Sequence, residues 1–366
     1  MFFSSFGDIL RGGQKSLSYL VSNLAKESFV AYVIVPNTKG GLAGKLAEMG
    51  INVHSMDLPQ IKNLKVWQIA KSIWRIKKLI KRHAIDIIHT DGPRNTFYAG
   101  IAAKLKKVPL IWHVRASNKD RFDRLLYKLS TKIILVADAL GTRFDWAADS
   151  NKSVTIYNGV DFSEFGQKSV SEQIRQKYQI NSKELLITVT ARIEPLKGQK
   201  YLIEACGKLK DELGDFKILL AGEISDNSYM NICNKLAIEF NIHDRVIFTG
   251  PLDNIPQILN ETDIFVLPSL FEAFPRSIIE AMAAGIPVIA TDVGGNSEAV
   301  ENNVSGLIVA PGNAAILADK ICFLKRNPNL RKKMGAEARS RALQSFGIRE
   351  NVSKVEDVYR EILYKN

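Results

Sequence analysis

Residues 263–298 constrain this chain more than any other stretch of its sequence. Ile264 to Leu267 is an unbroken apolar run, the pattern of a strand covered on both faces in a parallel sheet. Pro268 ends it, and a loop carrying Glu272 and Phe274 follows. Pro275 stands where a first helical residue belongs, since its missing N–H would be an orphan donor there in any case. A helix is expected over 276–284, closed by Gly285, and the next strand over 287–290. The segment therefore reads as a strand, loop, helix and strand in succession. One carboxylate, Glu272, lies in the loop and another, Glu280, in the helix.

On one continuous helix the two glutamates would sit about 80° apart, at about 100° per residue. Pro275 argues against that, so Glu272 is expected to approach the helix mouth from the loop while Glu280 lies a turn or more deeper. The amides of Phe274, Arg276 and Ser277 would point into the same space, and such a helix start favours anions and hydroxyl oxygens. Two carboxylates beside it supply acceptors for vicinal hydroxyls, as in a ribose or a hexose. The plain alternative leaves Glu272 solvated and Glu280 on an exposed helix face.

Glu272-Ala-Phe-Pro-Arg-Ser-Ile-Ile-Glu280, then Ala-Met-Ala-Ala-Gly and Pro-Val-Ile-Ala-Thr, closely resembles the signature of the family 4 retaining glycosyltransferases. The resemblance implies the GT-B fold, with Glu280 on the ribose of a sugar nucleotide. It places Glu272 and the following amides on hydroxyls of the transferred sugar. Ala273 stands where the family usually has Gly.

A length of 366 residues suggests two domains, because single cores rarely grow past about 250–300 residues. Hydrophobic content of 46% and charged content of 24% are those of an ordinary globular chain. No apolar run reaches the roughly 18 residues of a membrane span, and residues 1–10 lack the basic region of a signal peptide. Cys206, Cys233 and Cys322 have no metal-type spacing and read as reduced thiols, with a cytoplasmic location expected. Charge is shared unevenly: residues 1–160 carry 25 Lys and Arg against 11 Asp and Glu, a net of +14, against a net of −2 for the rest. The first half thus calls for an anionic partner, such as a phospholipid surface or a lipid-linked phosphate. No nucleic-acid motif is present, and no aromatic residues are interleaved with basic ones as stacking platforms.

Strands are expected at 2–6, 29–35, 51–54, 85–89, 109–113, 133–136 and 154–157, with helices at 14–26, 40–49, 61–83 and 93–107 between them. Gly12 and Gly13, before the first helix, offer a phosphate close approach to backbone amides, and the family has a Gly-Gly there. The helix over 61–83 is amphipathic and basic: either it packs on the sheet with a solvated basic side, or it lies on an anionic membrane. His113 closes its strand, where parallel sheets bind ligands. The family commonly has a His here beside the transferred sugar, although usually followed by Gly rather than Val114. Asn158-Gly159-Val160-Asp161 resembles the family's interdomain linker.

The second half opens with a strand over 185–191 and then Arg192-Ile-Glu-Pro-Leu-Lys197-Gly198. Two cations beside a helix start suit a pyrophosphate, and the resemblance assigns both to the donor diphosphate. Gly222 and Leu252, after the next two strands, join the nucleotide-binding set. A further strand over 306–309 and helices over 314–325, 330–344 and 349–364 complete the pattern. Alternating strands and helices in both halves predict two doubly wound parallel sheets, Rossmann-like and facing across a cleft. The expected domains are 1–160, with 346–366 packing back on it, and 161–345.

The implied activity is retaining transfer of a hexose or amino sugar from a nucleoside diphosphate, UDP or GDP, to a saccharide or lipid-linked saccharide. Bacterial surface polysaccharide or glycolipid synthesis is the expected setting. His113, Arg192, Lys197 and Glu272 form the catalytic set; Gly12, Gly13, Gly222, Leu252, Phe274, Arg276, Ser277 and Glu280 bind the donor. No cofactor and no metal are expected, since no Asp-x-Asp lies at a strand end. Two other readings stay open: another GT-B enzyme, such as a sugar-nucleotide epimerase or glucan synthase, and a non-catalytic anion- or membrane-binding protein.

Overall fold

The computed structural model describes residues 1–5, 7, 12–38, 41–61, 66–147, 150–165, 173–252 and 254–364. The chain divides into two compact units, Met1–Gly159 with Ile348–Asn366, and Val160–Gly347. Each is a parallel sheet covered by helices.

The first unit has seven strands: β1 (Phe2–Phe3), β2 (Tyr32–Val35), β3 (Asn52–Ser55), β4 (Ile88–Thr90), β5 (Leu110–Val114), β6 (Lys132–Leu135) and β7 (Ser153–Thr155). Their order is β3-β2-β1-β4-β5-β6-β7, and every pairing is parallel. Val33, Ile34 and Val35 are all buried, as a strand covered on both faces requires. The last helix, Ile348–Tyr364, belongs to this unit: its Val352, Val355 and Tyr359 share a core with Phe2, Leu17 and Leu20.

The second unit has six: β8 (Leu185–Thr190), β9 (Phe216–Ala221), β10 (Val246–Gly250), β11 (Ile264–Leu267), β12 (Val288–Thr291) and β13 (Gly306–Val309). Their order is β10-β9-β8-β11-β12-β13, again wholly parallel. All three cysteines are buried in the core of this unit.

Several bounds differ from expectation. The strand expected over 2–6 is two residues long, and Phe6 lies outside the described residues. The first helix is Gly12–Ser22 and not 14–26; the Asn23 amide still bonds the Tyr19 carbonyl one turn back, and the chain then turns with the Ser28 and Phe29 amides on the Ala25 carbonyl. Gly40, and Lys62, Leu64 and Lys65 of the basic helix, lie outside the described residues; that helix is described over Val66–Arg82. Helix Asp123–Leu129 and a 3-10 turn at Asp138–Phe144 occur where none was expected, each too short for a 3.6-residue period to register. No helix among the described residues is long and apolar enough to cross a membrane.

Candidate active site

In a doubly wound sheet, ligands bind beyond the carboxyl ends of the strands where the strand order reverses. In the second unit that point lies between β8 and β11. The loops that follow these strands are residues 191–198 and 268–275, the two stretches that carry Arg192, Lys197 and Glu272.

Three loops lock together there. Gly198 adopts a left-handed conformation, φ +67°, and a Cβ on it would lie 2.0 Å from the Pro268 carbonyl oxygen. Gly294, at φ +54°, comes equally close to the Glu272 carbonyl, 2.2 Å for a Cβ. The Gly295 amide donates to the Ala273 carbonyl at 2.7 Å, and Thr291 Oγ1 to the Ser269 carbonyl at 2.5 Å. Buried Gln199 donates to the Arg192 carbonyl at 2.7 Å. Only glycine permits both contacts and both backbone conformations.

That framework sets the charges. Lys197 Nζ lies 2.7 Å from Glu272 Oε1, which also accepts from Ser269 Oγ at 2.7 Å. Glu272 is buried, so the loop carboxylate is not the solvated residue of the plain alternative. Arg192 pairs with Glu194 at 2.8 Å and keeps its side chain 39% exposed. Helix Arg276–Ala283 starts at Arg276 as expected, but Pro275 is its cap and not a first helical residue, with ψ 126°, extended rather than helical. Arg276 and Ser277 are thus the first two helical residues, whose amides have no acceptor one turn back within the helix. Glu280 is buried, not on an exposed face, and accepts from the Arg276 guanidinium at 3.3 Å. This buried ion pair was not foreseen, although an i, i+4 Arg–Glu spacing was there to be read.

The other residues assigned to this half have plainer surroundings. Phe274 is buried edge-on to Phe346, ring centres 5.5 Å apart. A Cβ on Gly222 would lie 2.0 Å from the Ala191 carbonyl, so close loop packing by itself requires that glycine. Leu252 packs against a small core cluster with Leu219 and Ile258.

In the first unit the order reverses between β1 and β4. His113 lies one strand away, inside β5 rather than at its end, because the pairing with β6 continues to Val114. It is buried. Its Nδ1 is 3.0 Å from His89 Nε2 and 3.2 Å from an Arg115 nitrogen, while His89 Nδ1 is 2.6 Å from the Tyr359 hydroxyl. Burial and the nearby Arg115 charge hold both histidines well below the ordinary imidazole range. Gly12 and Gly13 open helix Gly12–Ser22 and are exposed; nothing lies within 4 Å of a Cβ placed on Gly13. Residues 8–11 of their loop are outside the described residues.

Beyond β4 stands Asp91, which accepts from Ser5 Oγ at 3.0 Å and Asn95 Nδ2 at 3.1 Å. Burial pushes its carboxyl up, opposed by the Arg115 charge and those hydrogen bonds. Asp91 was missed, yet an Asp-Gly-Pro string after a strand marks that position. Tyr359 left no such signal.

Two family descriptions match the sequence: Glycosyltransferase Family 4 over residues 10–164 and Glycosyl transferases group 1 over residues 170–341. Together they cover nearly all of it. The chain belongs to the family 4 glycosyltransferases, of GT-B fold. This glycosyltransferase is similar to the Escherichia coli UDP-Gal:alpha-D-GlcNAc-diphosphoundecaprenol alpha-1,3-galactosyltransferase, 24% identical over 94% of this chain and 95% of that one. It is 26% identical, over 86% of both chains, to the Campylobacter jejuni N,N'-diacetylbacillosaminyl-diphospho-undecaprenol alpha-1,3-N-acetylgalactosaminyltransferase. In structure it is similar to a glycosyltransferase from Rickettsia africae, with a TM-score of 0.89 and 25% identity over 100% of this chain and 99% of that one.

Proposed function

We propose that this glycosyltransferase moves a sugar, with retention, from a nucleoside diphosphate sugar to a lipid-linked saccharide in bacterial surface polysaccharide or glycolipid synthesis. The observation that carries the reading is the Lys197–Glu272 pair at the strand-order reversal, with Arg192 on the same loop as Lys197. In this reading Arg192 and Lys197 neutralise the diphosphate as the glycosidic bond breaks, the charge that most needs stabilising. Glu280 holds ribose hydroxyls. Glu272 and the Phe274, Arg276 and Ser277 amides hold the sugar, and His113 contacts it from the first unit. The leaving phosphate takes the acceptor's proton, and no metal is needed. A UDP-sugar donor agrees with the name of the Escherichia coli relative, and a diphosphoundecaprenol-linked acceptor with the names of both relatives.

The acceptor reading also draws on helix Val66–Arg82. It buries Ser72, Ile76 and Ile80 and turns Trp67 and Trp74 outward, 58% and 60% exposed, among Lys71, Arg75, Lys78 and Lys81. A buried face and a membrane-facing side are therefore compatible on one helix. Tryptophans between cations suit the headgroup region, and about 1 kcal/mol per engaged basic residue gives useful peripheral binding at the inner face of a membrane. Donor hydrolysis across UDP-, GDP- and ADP-sugars tests the first part; no hydrolysis of any would remove it. Co-sedimentation with anionic vesicles should be strong at low salt, weaken at high salt and be absent with neutral vesicles. Equal binding to both vesicle types would favour a soluble acceptor.

A further inference from the structure

We infer that Tyr359, His89 and Arg115 form a directed hydrogen-bond relay that fixes the His113 ring in one tautomer, with Nδ1 an acceptor and Nε2–H the donor offered to substrate. Its direction follows from a single fact of chemistry: a guanidinium only donates. Arg115 lies 3.2 Å from His113 Nδ1, so that nitrogen carries the lone pair. The second group on the same nitrogen, His89 Nε2 at 3.0 Å, must then also be a donor. A neutral His89 with its proton on Nε2 has its lone pair on Nδ1, which is where the Tyr359 hydroxyl stands, 2.6 Å away. Tyr359 therefore donates to His89, and His89 and Arg115 donate to His113.

Both rings are neutral for the relay to work, and their burial at 4% and 2% exposure favours that state. Burial likewise keeps the Tyr359 hydroxyl protonated, well above its ordinary range. Arg115 is itself steadied by Asn158, whose Oδ1 accepts at 2.8 Å. One atom remains over: His113 Nε2 is buried and has no hydrogen-bond partner among the described residues. A buried N–H without an acceptor is destabilising, so the arrangement makes sense where a substrate oxygen completes it. Tyr359, near the end of the chain, thus acts as a positioning residue through two rings, and His89 as the link. That use of Nε2–H rests on the proposed contact between His113 and the sugar; the tautomer does not.

The test reads the tautomer directly, on the full chain labelled with ¹⁵N-histidine, whose five histidines are assigned by single substitutions. Long-range ¹H–¹⁵N spectra at pH 7 should show both His89 and His113 neutral with the proton on Nε2. Tyr359→Phe should perturb the His89 ring nitrogens and lower kcat about tenfold, with KM and UDP affinity unchanged. His89→Gln keeps an N–H donor toward His113 and should retain more turnover than His89→Leu. An Nδ1–H or doubly protonated ring at His113 in the parent overturns the relay. So does a Tyr359→Phe protein with unaltered His89 signals. If instead His113→Ala keeps full turnover while the parent spectra are as described, the relay stands and the sugar contact fails.

Discussion

In the second unit the residues gathered at the strand-order reversal are charged and paired: Lys197 on Glu272, Arg192 on Glu194, Arg276 on Glu280. In the first unit the corresponding residues around His113 are two buried rings, held toward the neutral form by burial, and a tyrosine, with Arg115 as the only cation bonded to the rings among the described residues. The difference is one of exchangeability. Arg192 is partly exposed, and such pairs are worth about 0–1 kcal/mol net, so under the proposed function a diphosphate would take the place of Glu194 at little cost. Lys197 is more covered, its partner Glu272 buried, and the proposed function asks the same exchange of it. A neutral relay has no charge to trade; it provides one donor whose direction is set before substrate arrives. Under the proposed function, the second unit would meet the group that gains charge and the first the group that stays neutral.

Arg276 and Glu280 are the exception within the charged set, since both are buried. Breaking a buried pair costs about 3–5 kcal/mol because the remaining charge is stranded. Glu280→Ala should therefore lower the melting temperature as well as abolish nucleotide binding, whereas Glu272→Ala should mainly affect turnover. A Glu280→Ala protein as stable as the parent would place that pair with the exchangeable ones.

The next largest effect concerns the exchange itself. Arg192→Ala and Lys197→Ala should each lower kcat by about 10²-fold or more, the scale for removing one group that stabilises developing charge, with little change in unfolding free energy for Arg192→Ala and some loss for Lys197→Ala, which strands the buried Glu272 carboxylate. Steady-state kinetics check this. Rates equal to the parent's would leave the charged loop without a catalytic part.

The most gradual effect should come from pH. His89 and His113 are held below their ordinary range in the folded chain, chiefly by burial. Below about pH 6.5 the unfolded chain binds protons there that the folded chain does not, so each histidine costs up to about 1.4 kcal/mol of stability per pH unit. Stability should fall as pH drops from 7 toward 5, and less steeply in a His89→Gln, His113→Gln protein. Identical pH profiles for the two would show that the rings accept protons freely in place.

Much of the second unit was legible because its cues are local. Apolar runs, Pro268, Gly285 and the Glu272–Glu280 spacing all sit within one short segment, and the strands and helix formed within a residue or two of expectation. The partners of those residues were less legible. Nothing local places Lys197 against a carboxylate 75 positions away, and that contact depends on Gly198 and Gly294 permitting backbone approaches no pattern announces. The first unit hid more. His113 could be singled out at a strand end, but its relay spans 24 and then 270 positions to His89 and Tyr359. The basic helix showed its charge in the sequence, while the outward aim of Trp67 and Trp74 needed the packing of Ser72, Ile76 and Ile80 to define it.

The proposed transfer retains configuration and is driven by cations of the protein. Its most direct test incubates the EDTA-treated chain with the best donor of the panel and a diphosphoundecaprenol-linked N-acetylhexosamine, then reads the anomeric configuration of the product by NMR. The account predicts a product that keeps the donor's configuration and forms without added Mg²⁺ or Mn²⁺. An inverted product, or transfer only when a divalent metal is restored, would contradict it.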